Sequence, residues 1–483
     1  MNILYIASEV KPFAASGGLA DVAGSLPGVL RTLRQQVKTD GKKQSRRVHC
    51  RVVMPLYGCV KAEFREQMTF LGSRTVPVSW RRQYCGVFEL KYEDVTYYFL
   101  DNEYYFKRPG IYGHYDDGER FAFFSRAVLE MLWLIDYKPD ILHANDWQSA
   151  LVPIYYSLFY TGLDGYPKMK TVFTIHNIQY QGKYDPAILG DVFGLSAAQY
   201  SVVEHDKCVN LMKGGIEAAD AVTTVSPTYA AEIQDPWFSF GLDPILRARN
   251  WKLTGILNGI DTADNDPAAD PVIAQNYSAD GLSGKTACKQ ALQERLGLPV
   301  VPDIPLIVTV TRLVSSKGLD LMKYALEDLL RDEVQVAVLG SGDTVYEAFF
   351  RDAQRRHPDK FRFAEGFLPD LARMFYAGAD IFLMPSKSEP CGLAQMIACR
   401  YGTLPVVRET GGLKDSIADC GDGRGFGFTF KTYNAGDMLH GLYRAIGAYQ
   451  NGGDWPELMR RAMTVDFSWK KSAAQYLEMY EKL

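Results

Sequence analysis

The chain alternates short runs of aliphatic and β-branched residues with longer stretches whose apolar positions recur every three or four residues. The first pattern predicts strands at Ile3–Ser8, Val52–Leu56, Asp140–Ala144, Lys170–His176 and Ala221–Ser226. Further strands are predicted at Leu253–Leu257, Leu306–Thr311, Gln335–Leu339, Phe361–Ala364, Ile381–Pro385 and Leu404–Arg408. The second pattern predicts helices, as where Val22, Leu26, Leu30 and Leu33 share one face. Strand and helix alternating in this way predict an α/β fold of parallel sheets covered on both sides. From Ser73 to Tyr105 the pattern changes to polar–apolar alternation, as in KYEDVTYYFLD, and reads as an antiparallel insertion at the edge of the first sheet.

A chain of 483 residues is too long for one ordinary core. The segment NGIDTADNDPAADP, within Trp251–Asp270, is rich in Asp, Asn, Gly and Pro and marks a break before a new series of strands. The expected division is residues 1–250, residues 251–465, and an amphipathic helix at 466–483 crossing back to the first domain. The active site is expected in the cleft between the two domains. The longest apolar runs, PLIVTVT and IFLMP, fall far short of a membrane span. MNILYIASEV has no basic segment ahead of its apolar stretch and reads as a first strand, not a signal peptide.

Composition narrows the chemistry. The net charge of −4 gives no general attraction to nucleic acid or anionic membrane. The basic stretch Lys38 to Arg51 lacks interleaved aromatics and reads as a solvated loop. Eight scattered cysteines form no C-x-x-C pair, which removes the usual zinc and dithiol signatures and fits a reduced, cytoplasmic setting.

The polar and glycine-rich motifs come directly after strands, where open parallel sheets bind ligands. Ser16-Gly17-Gly18-Leu19 opens the first helix, where glycines permit close approach and free N–H groups favour an anion, although such a pair also serves a plain tight turn. His143-Ala144-Asn145-Asp146-Trp147 and His176-Asn177 follow successive strands. A lone histidine there is more often structural, but two such clusters raise the functional reading. Arg312 and Lys317, five residues apart, could aim at one phosphate pair or be solvated helix-start residues. Gly340-Ser341-Gly342-Asp343 is a fragment of a phosphate loop without its lysine. Glu389 precedes a helix opening at Cys391-Gly392-Leu393, where an acid can also simply cap, and Thr410-Gly411-Gly412-Leu413 repeats the strand, glycine-pair, helix device.

These motifs resemble those of the bacterial glycogen synthases and plant starch synthases. The matching stretches run through nearly the whole chain: SGGLADVAGSLP, MPLY, RPGIYG, ERFAFFSRA, KPDILHANDWQ, FTIHNIQYQG, VTTVSPTYAAEI, GILNGID, TRLVSSKGLDL, EPCGL, YGTLPVVRETGGL and DFSW. The resemblance implies two facing Rossmann-like domains (the GT-B architecture) and transfer of glucose from ADP-glucose to an α-1,4-glucan such as glycogen. It implies retention of configuration and neither metal nor cofactor. The favoured account is front-face attack by the glucan hydroxyl while the departing phosphate accepts its proton.

Carried over by position, Arg312 and Lys317 are expected to bind the donor diphosphate and Glu389 to hold sugar hydroxyls. Amides of Cys391, Gly392 and Leu393 and of Gly411, Gly412 and Leu413 are expected around sugar and phosphate, with Thr410 also in the donor site. His176 is expected to contact the glucose and Phe367 to stack on the base. Gly17, Gly18, Asp21, Asp146 and Gly340 are expected to line the donor site, and Asn258 to lie at the domain junction. Some of Tyr104, Tyr105, Phe106 and Tyr112 are expected to stack on glucan, the rest to enter the core.

Three positions depart from the pattern: Ala15 where the family has a phosphate-binding lysine, Asn265 where it has an aromatic, and Ser388 where it often has Phe. Loss of one charge-assisted hydrogen bond costs about 1.5–3 kcal/mol. Ala15 therefore keeps open a glucan-binding paralogue with little or no turnover. A related retaining transferase using another sugar nucleotide is the other alternative.

Overall fold

The computed structural model describes residues 1–39 and 42–483. Its first sheet is built from Asn2–Ile6 (β1), His49–Pro55 (β2), Thr69–Val78 (β3), Arg81–Tyr92 (β4), Val95–Asp101 (β5), Ile141–Asn145 (β6), Lys170–Ile175 (β7), Ala221–Thr224 (β8) and Leu253–Gly255 (β9). They lie in the order β9-β8-β7-β6-β1-β2-β5-β4-β3. Every pair from β9 to β5 is parallel, and the last two pairs are antiparallel. The centre reads as almost unbroken apolar sequence because helices cover both faces; Ile3, Leu4, Tyr5 and Ile6 are wholly buried. The edge alternates because only one of its faces enters the core: Cys85 and Val87 are buried while Tyr84 is exposed.

The second sheet contains Leu306–Val310 (β10), Gln335–Gly340 (β11), Phe361–Glu365 (β12), Ile381–Met384 (β13), Leu404–Arg408 (β14) and Phe428–Phe430 (β15). All its pairs are parallel, in the order β12-β11-β10-β13-β14-β15.

The chain divides into two compact units, Met1–Gly259 with Trp469–Leu483, and Ile260–Ser468. The first boundary falls later than composition suggested. The strand at Leu253 does not begin the second unit: it pairs with β8 and closes the first sheet. The basic stretch is also not a plain loop, for Arg34–Thr39 and Lys42–Arg47 pair as an antiparallel ribbon. Residues 40 and 41 of that stretch lie outside the described residues.

The helix Trp469–Glu481 packs against the helix Gly18–Leu30 of the first unit and buries Trp469, Ala473, Tyr476 and Tyr480. Tyr480 brings its hydroxyl to 2.6 Å from Nδ1 of the wholly buried His143, whose Nε2 lies 2.6 Å from Thr174 Oγ1. Both ring nitrogens of His143 are therefore occupied inside the fold. No helix among the described residues is long and apolar enough to cross a membrane.

Candidate functional site

Parallel sheets open a crevice where the chain leaves two adjacent strands in opposite directions. The first sheet does so between β1 and β6, and the second between β10 and β13. The segments that follow these four strands carry most of the residues singled out in the sequence, and each unit holds its own set.

In the first unit, the turn after β1 is folded around an internal carboxylate. Glu9 Oε2 accepts hydrogen bonds from Ser16 N, from Ser16 Oγ at 2.8 Å and from Gly17 N at 3.2 Å. The Gly17 amide, expected to face an external anion, is thus turned onto Glu9. Burial pushes the Glu9 carboxyl up while these donors pull it down. Gly18 is different: the space where a side chain would stand is open. Asp21, one helical turn on, pairs with Lys11, and both are partly exposed. Ala15 is exposed beside this turn. Ser8 Oγ lies 2.7 Å from Tyr112 OH, which fixes the RPGIYG segment against the end of β1.

The end of β6 is strained. Asp146 has φ 55°, a left-handed conformation that costs a non-glycine residue about 1–3 kcal/mol. The strain places Oδ1 where it accepts from His176 N at 2.7 Å and Asn177 N at 3.4 Å, tying the ends of β6 and β7 together. The neighbouring Asn145 sets the state of His176. Asn145 Nδ2 donates to Ile6 O at 3.0 Å and His143 O at 3.3 Å, so its Oδ1 must accept from Tyr5 OH at 3.0 Å and His176 Nε2 at 2.8 Å. His176 is therefore protonated on Nε2, leaving the lone pair on Nδ1. Asn258 is buried, and its Oδ1 has no hydrogen-bond partner among the described residues.

Burial holds His143 and His176 down to about 3 and pushes Asp146 up to about 7, against the pull of its two amides. An unfolded histidine titrates near 6.5, so the stability each buried histidine contributes is complete above that pH and is lost toward 3, at about 1.4 kcal/mol per pH unit. Asp146 has the opposite sign: its contribution is present below about 4 and is lost as pH rises through about 7. It offsets one histidine between pH 4 and 6.5. Asp146→Asn is expected to steepen the acid loss of stability in that window by about 1.4 kcal/mol per pH unit. Urea unfolding of the variant and parent at several pH values measures this, and equal slopes would contradict it.

In the second unit, Lys317 Nζ lies 2.6 Å from Glu389 Oε2, and Ser386 Oγ donates to the same oxygen at 3.1 Å. Glu389 is buried. Its segment after β13 is held by the buried Arg408, whose Nε donates to Ser386 O at 2.8 Å and Nη2 to Lys387 O at 2.5 Å. Arg312 is exposed and makes no ion pair among the described residues. The structure thus brings Lys317 and Glu389 into direct contact and leaves Arg312 outside that pair.

The two glycine-bearing loops of this set are interlocked. A methyl group on Gly411 would stand 1.9 Å from Glu389 O, and one on Gly412 would stand 2.3 Å from Cys391 O. Gly412 N donates to Glu389 O at 3.1 Å, and Leu413 N to Thr410 O at 3.0 Å. The expectation of free amides at Gly411–Leu413 is corrected accordingly, since the amides of Gly412 and Leu413 are used inside the protein. Cys391 and Thr410 are buried, and Gly392 and Leu393 lead into the helix Ala394–Arg400. Gly340 also has a packing reason: its missing side chain admits Thr311 O, which would lie 1.9 Å from a methyl group. Phe367 follows β12 and is 87% exposed, an apolar ring held out from a strand end.

Glu9, Ser386 and Arg408 were given no role from the sequence, and Asn145 was noted only as a member of the polar cluster at the end of β6. Each acts on a neighbour three or more residues away in the chain, and their only sequence signal is position just after, or at the end of, a strand. Among the described residues no group of three or more His, Cys, Asp or Glu is placed to hold a metal ion.

Residues 2–248 match the family described as the starch synthase catalytic domain, and residues 294–446 match glycosyl transferases group 1. The chain is 46% identical to a glycogen synthase of Anoxybacillus flavithermus, covering 100% of this chain and 98% of that protein. It is 47% identical to a glycogen synthase of Ligilactobacillus salivarius, covering 100% of each. Among solved structures, the catalytic domain of starch synthase IV from Arabidopsis thaliana bound to ADP and acarbose superposes with a TM-score of 0.91 at 34% identity, covering 100% of this chain and 99% of that one.

Proposed function

We propose, for a chain that belongs to the glycogen and starch synthase family of retaining glycosyltransferases, that the donor is ADP-glucose and the acceptor the non-reducing end of an α-1,4-glucan. The observation that carries the reading is the Lys317–Glu389 pair beside the switch point of the second sheet. A lysine held by a buried carboxylate is oriented before any substrate arrives. When a diphosphate approaches, the ammonium can bind it while remaining anchored, and the charge that develops on the leaving phosphate meets a cation already in place.

Glu389 serves two purposes because its oxygens are divided. Oε2 holds Lys317 and Ser386, and Oε1 is left to accept from a sugar hydroxyl. Arg312, free of ion pairing among the described residues, adds a forked donor for the phosphates. Phe367 offers its face to the base. In the first unit His176, neutral and with its Nδ1 lone pair unused by Asn145, accepts from a glucose hydroxyl, and Asp146 fixes the backbone that carries it. The glucan hydroxyl attacks the anomeric carbon on the face from which ADP leaves. The C–O bond to phosphate breaks as the new C–O bond forms, and the departing phosphate oxygen takes the hydroxyl proton. The protein's part is orientation and stabilisation of the leaving group. The reading places the protein in the cytoplasm, where nucleotide sugars are made.

The test is release of ADP from ADP-glucose with glycogen present, beside UDP-glucose and a Glu389→Ala control. Glycogen-dependent release from ADP-glucose alone, absent in the control, is expected. No release with either donor, from folded protein that still binds glycogen, would overturn the reading. It would favour the non-catalytic paralogue that Ala15 keeps open.

A further inference from the structure

The net charge of −4 is unevenly spread. The ribbon of Arg34–Thr39 and Lys42–Arg47 carries six cations and no carboxylate, so the rest of the chain is more acidic than the total. The ribbon is a separate two-stranded sheet, and among the described residues no helix or further strand packs closely along it. Such a ribbon standing alone is marginally stable at best in water. Each strand has six residues and spans about 20 Å. Charge is felt over about 8 Å at physiological salt, so most of the ribbon acts apart from the acidity of the rest.

The register makes that charge harder to hold. Arg34 stands directly opposite Arg47, and Lys38 directly opposite Lys43. Like charges in opposed positions destabilise an antiparallel pair. Arg34, Arg46 and Arg47 are exposed, and none makes an ion pair among the described residues. The field at the base of the ribbon is positive as well: burial first, then the N-terminal ammonium, Arg31, Arg47 and Arg51, hold His49 below the usual histidine range. The ribbon keeps its cations uncompensated at a cost in its own stability, and a partner that brings negative charge to both pairs removes that cost.

Alternation puts Arg34, Lys38, Lys43 and Arg47 on one face, with Gln36 and Ser45 between them, and Lys42 and Arg46 on the other. A flat anionic membrane meets one face only and gains from apolar or aromatic side chains, of which the ribbon has Val37 alone. A protein partner calls for a buried aromatic or apolar anchor, and a single-stranded nucleic acid for aromatic platforms; the ribbon offers neither. B-form DNA suits it better. Its major groove, about 12 Å wide, admits a two-stranded β-ribbon between two rows of phosphates. Arg, Lys, Gln and Ser are the side chains that hydrogen-bond phosphates and base edges there. We propose that the ribbon is a docking element for double-stranded DNA, held chiefly through the phosphates. It stands apart from the candidate site and does not rest on the donor and acceptor reading.

Fluorescence anisotropy of a labelled DNA duplex, titrated with the full chain between about 50 and 200 mM salt, tests it. The parent is expected to bind at the low end, with log K falling against log salt at a slope of about −3 to −5. In Arg34→Gln/Lys38→Gln/Lys43→Gln/Arg47→Gln the affinity falls at least about tenfold and the slope flattens to about −2, while Tm and circular dichroism are retained. A parent that binds no duplex at low salt would overturn the proposal. So would a folded variant that binds as tightly and with the same slope. Binding to phosphatidylglycerol vesicles without binding to the duplex would overturn it in favour of a membrane surface. Salt-sensitive sedimentation with neither would overturn it in favour of a second copy of the chain.

Discussion

Lys317→Ala is expected to lower kcat/KM for nucleotide-glucose by about 10²–10³-fold, the loss that follows removal of one preorganised donor to developing charge. Most of the loss is expected in kcat, because the negative charge on the phosphate is largest as the glycosidic bond breaks. The contact with Glu389 sharpens the test. If Glu389 acts by holding Lys317, then Glu389→Ala in a Lys317→Ala background should cost far less than it does alone. If the two losses multiply, Glu389 acts on the sugar independently, through the oxygen that Lys317 does not use. Steady-state kinetics on the two single variants and the double variant decide this. A Lys317→Ala enzyme within a few-fold of the parent would remove the lysine from the mechanism.

Gly411→Ala is the second large effect. Gly411 has φ 43°, and an added methyl would stand 1.9 Å from Glu389 O. The backbone conformation alone costs about 1–2 kcal/mol and the overpacking about 1–3 kcal/mol. The structure can relieve the contact only by moving the Glu389 segment, and a shift of about 1 Å in such a group can cost about 10²-fold in rate. The variant is thus expected to lose both thermal stability and turnover. Gly423→Ala is the matched control. Gly423 has φ 76° with nothing within 4 Å of an added methyl, so it pays the conformational cost without the collision. A Gly411→Ala protein that loses stability no more than Gly423→Ala, and keeps its kcat, would contradict the interlock.

How far the sequence predicted this depends on the kind of force involved. β10 and β13 were legible because both their faces are covered, so the apolar run is almost unbroken. β9 was assigned to the wrong unit because three residues carry too little pattern, and the Asp- and Gly-rich stretch just after them drew the boundary forward. β15, Phe428–Phe430, is equally short and was not read as a strand. Among the site residues, Lys317 and Glu389 were found through motifs that follow strands, and their contact across 72 positions of chain was not. The turn after β1 is more instructive. Two glycines ahead of a helix signal exposed amides, but the group that takes the Gly17 amide is a carboxylate eight positions back, and no local pattern joins the two. Gly340 was read as a phosphate-loop remnant because glycines that admit a ligand and glycines that admit a neighbouring carbonyl look alike in a sequence.

The first unit is completed by a helix that comes after the whole of the second unit in the chain. The second unit's ends, Ile260 and Ser468, lie side by side, with Ile260 N donating to Phe467 O at 2.8 Å. During synthesis the second unit therefore has all its residues while the first still lacks Tyr480, the hydroxyl that occupies one side of the buried His143. A chain made only as far as Ser468 holds every residue of the insert within an unfinished host, and the helix Gly18–Leu30 still lacks the helix that packs on it. The order of manufacture makes the first unit the last to be completed, and it makes the helix Trp469–Glu481 the segment that completes it.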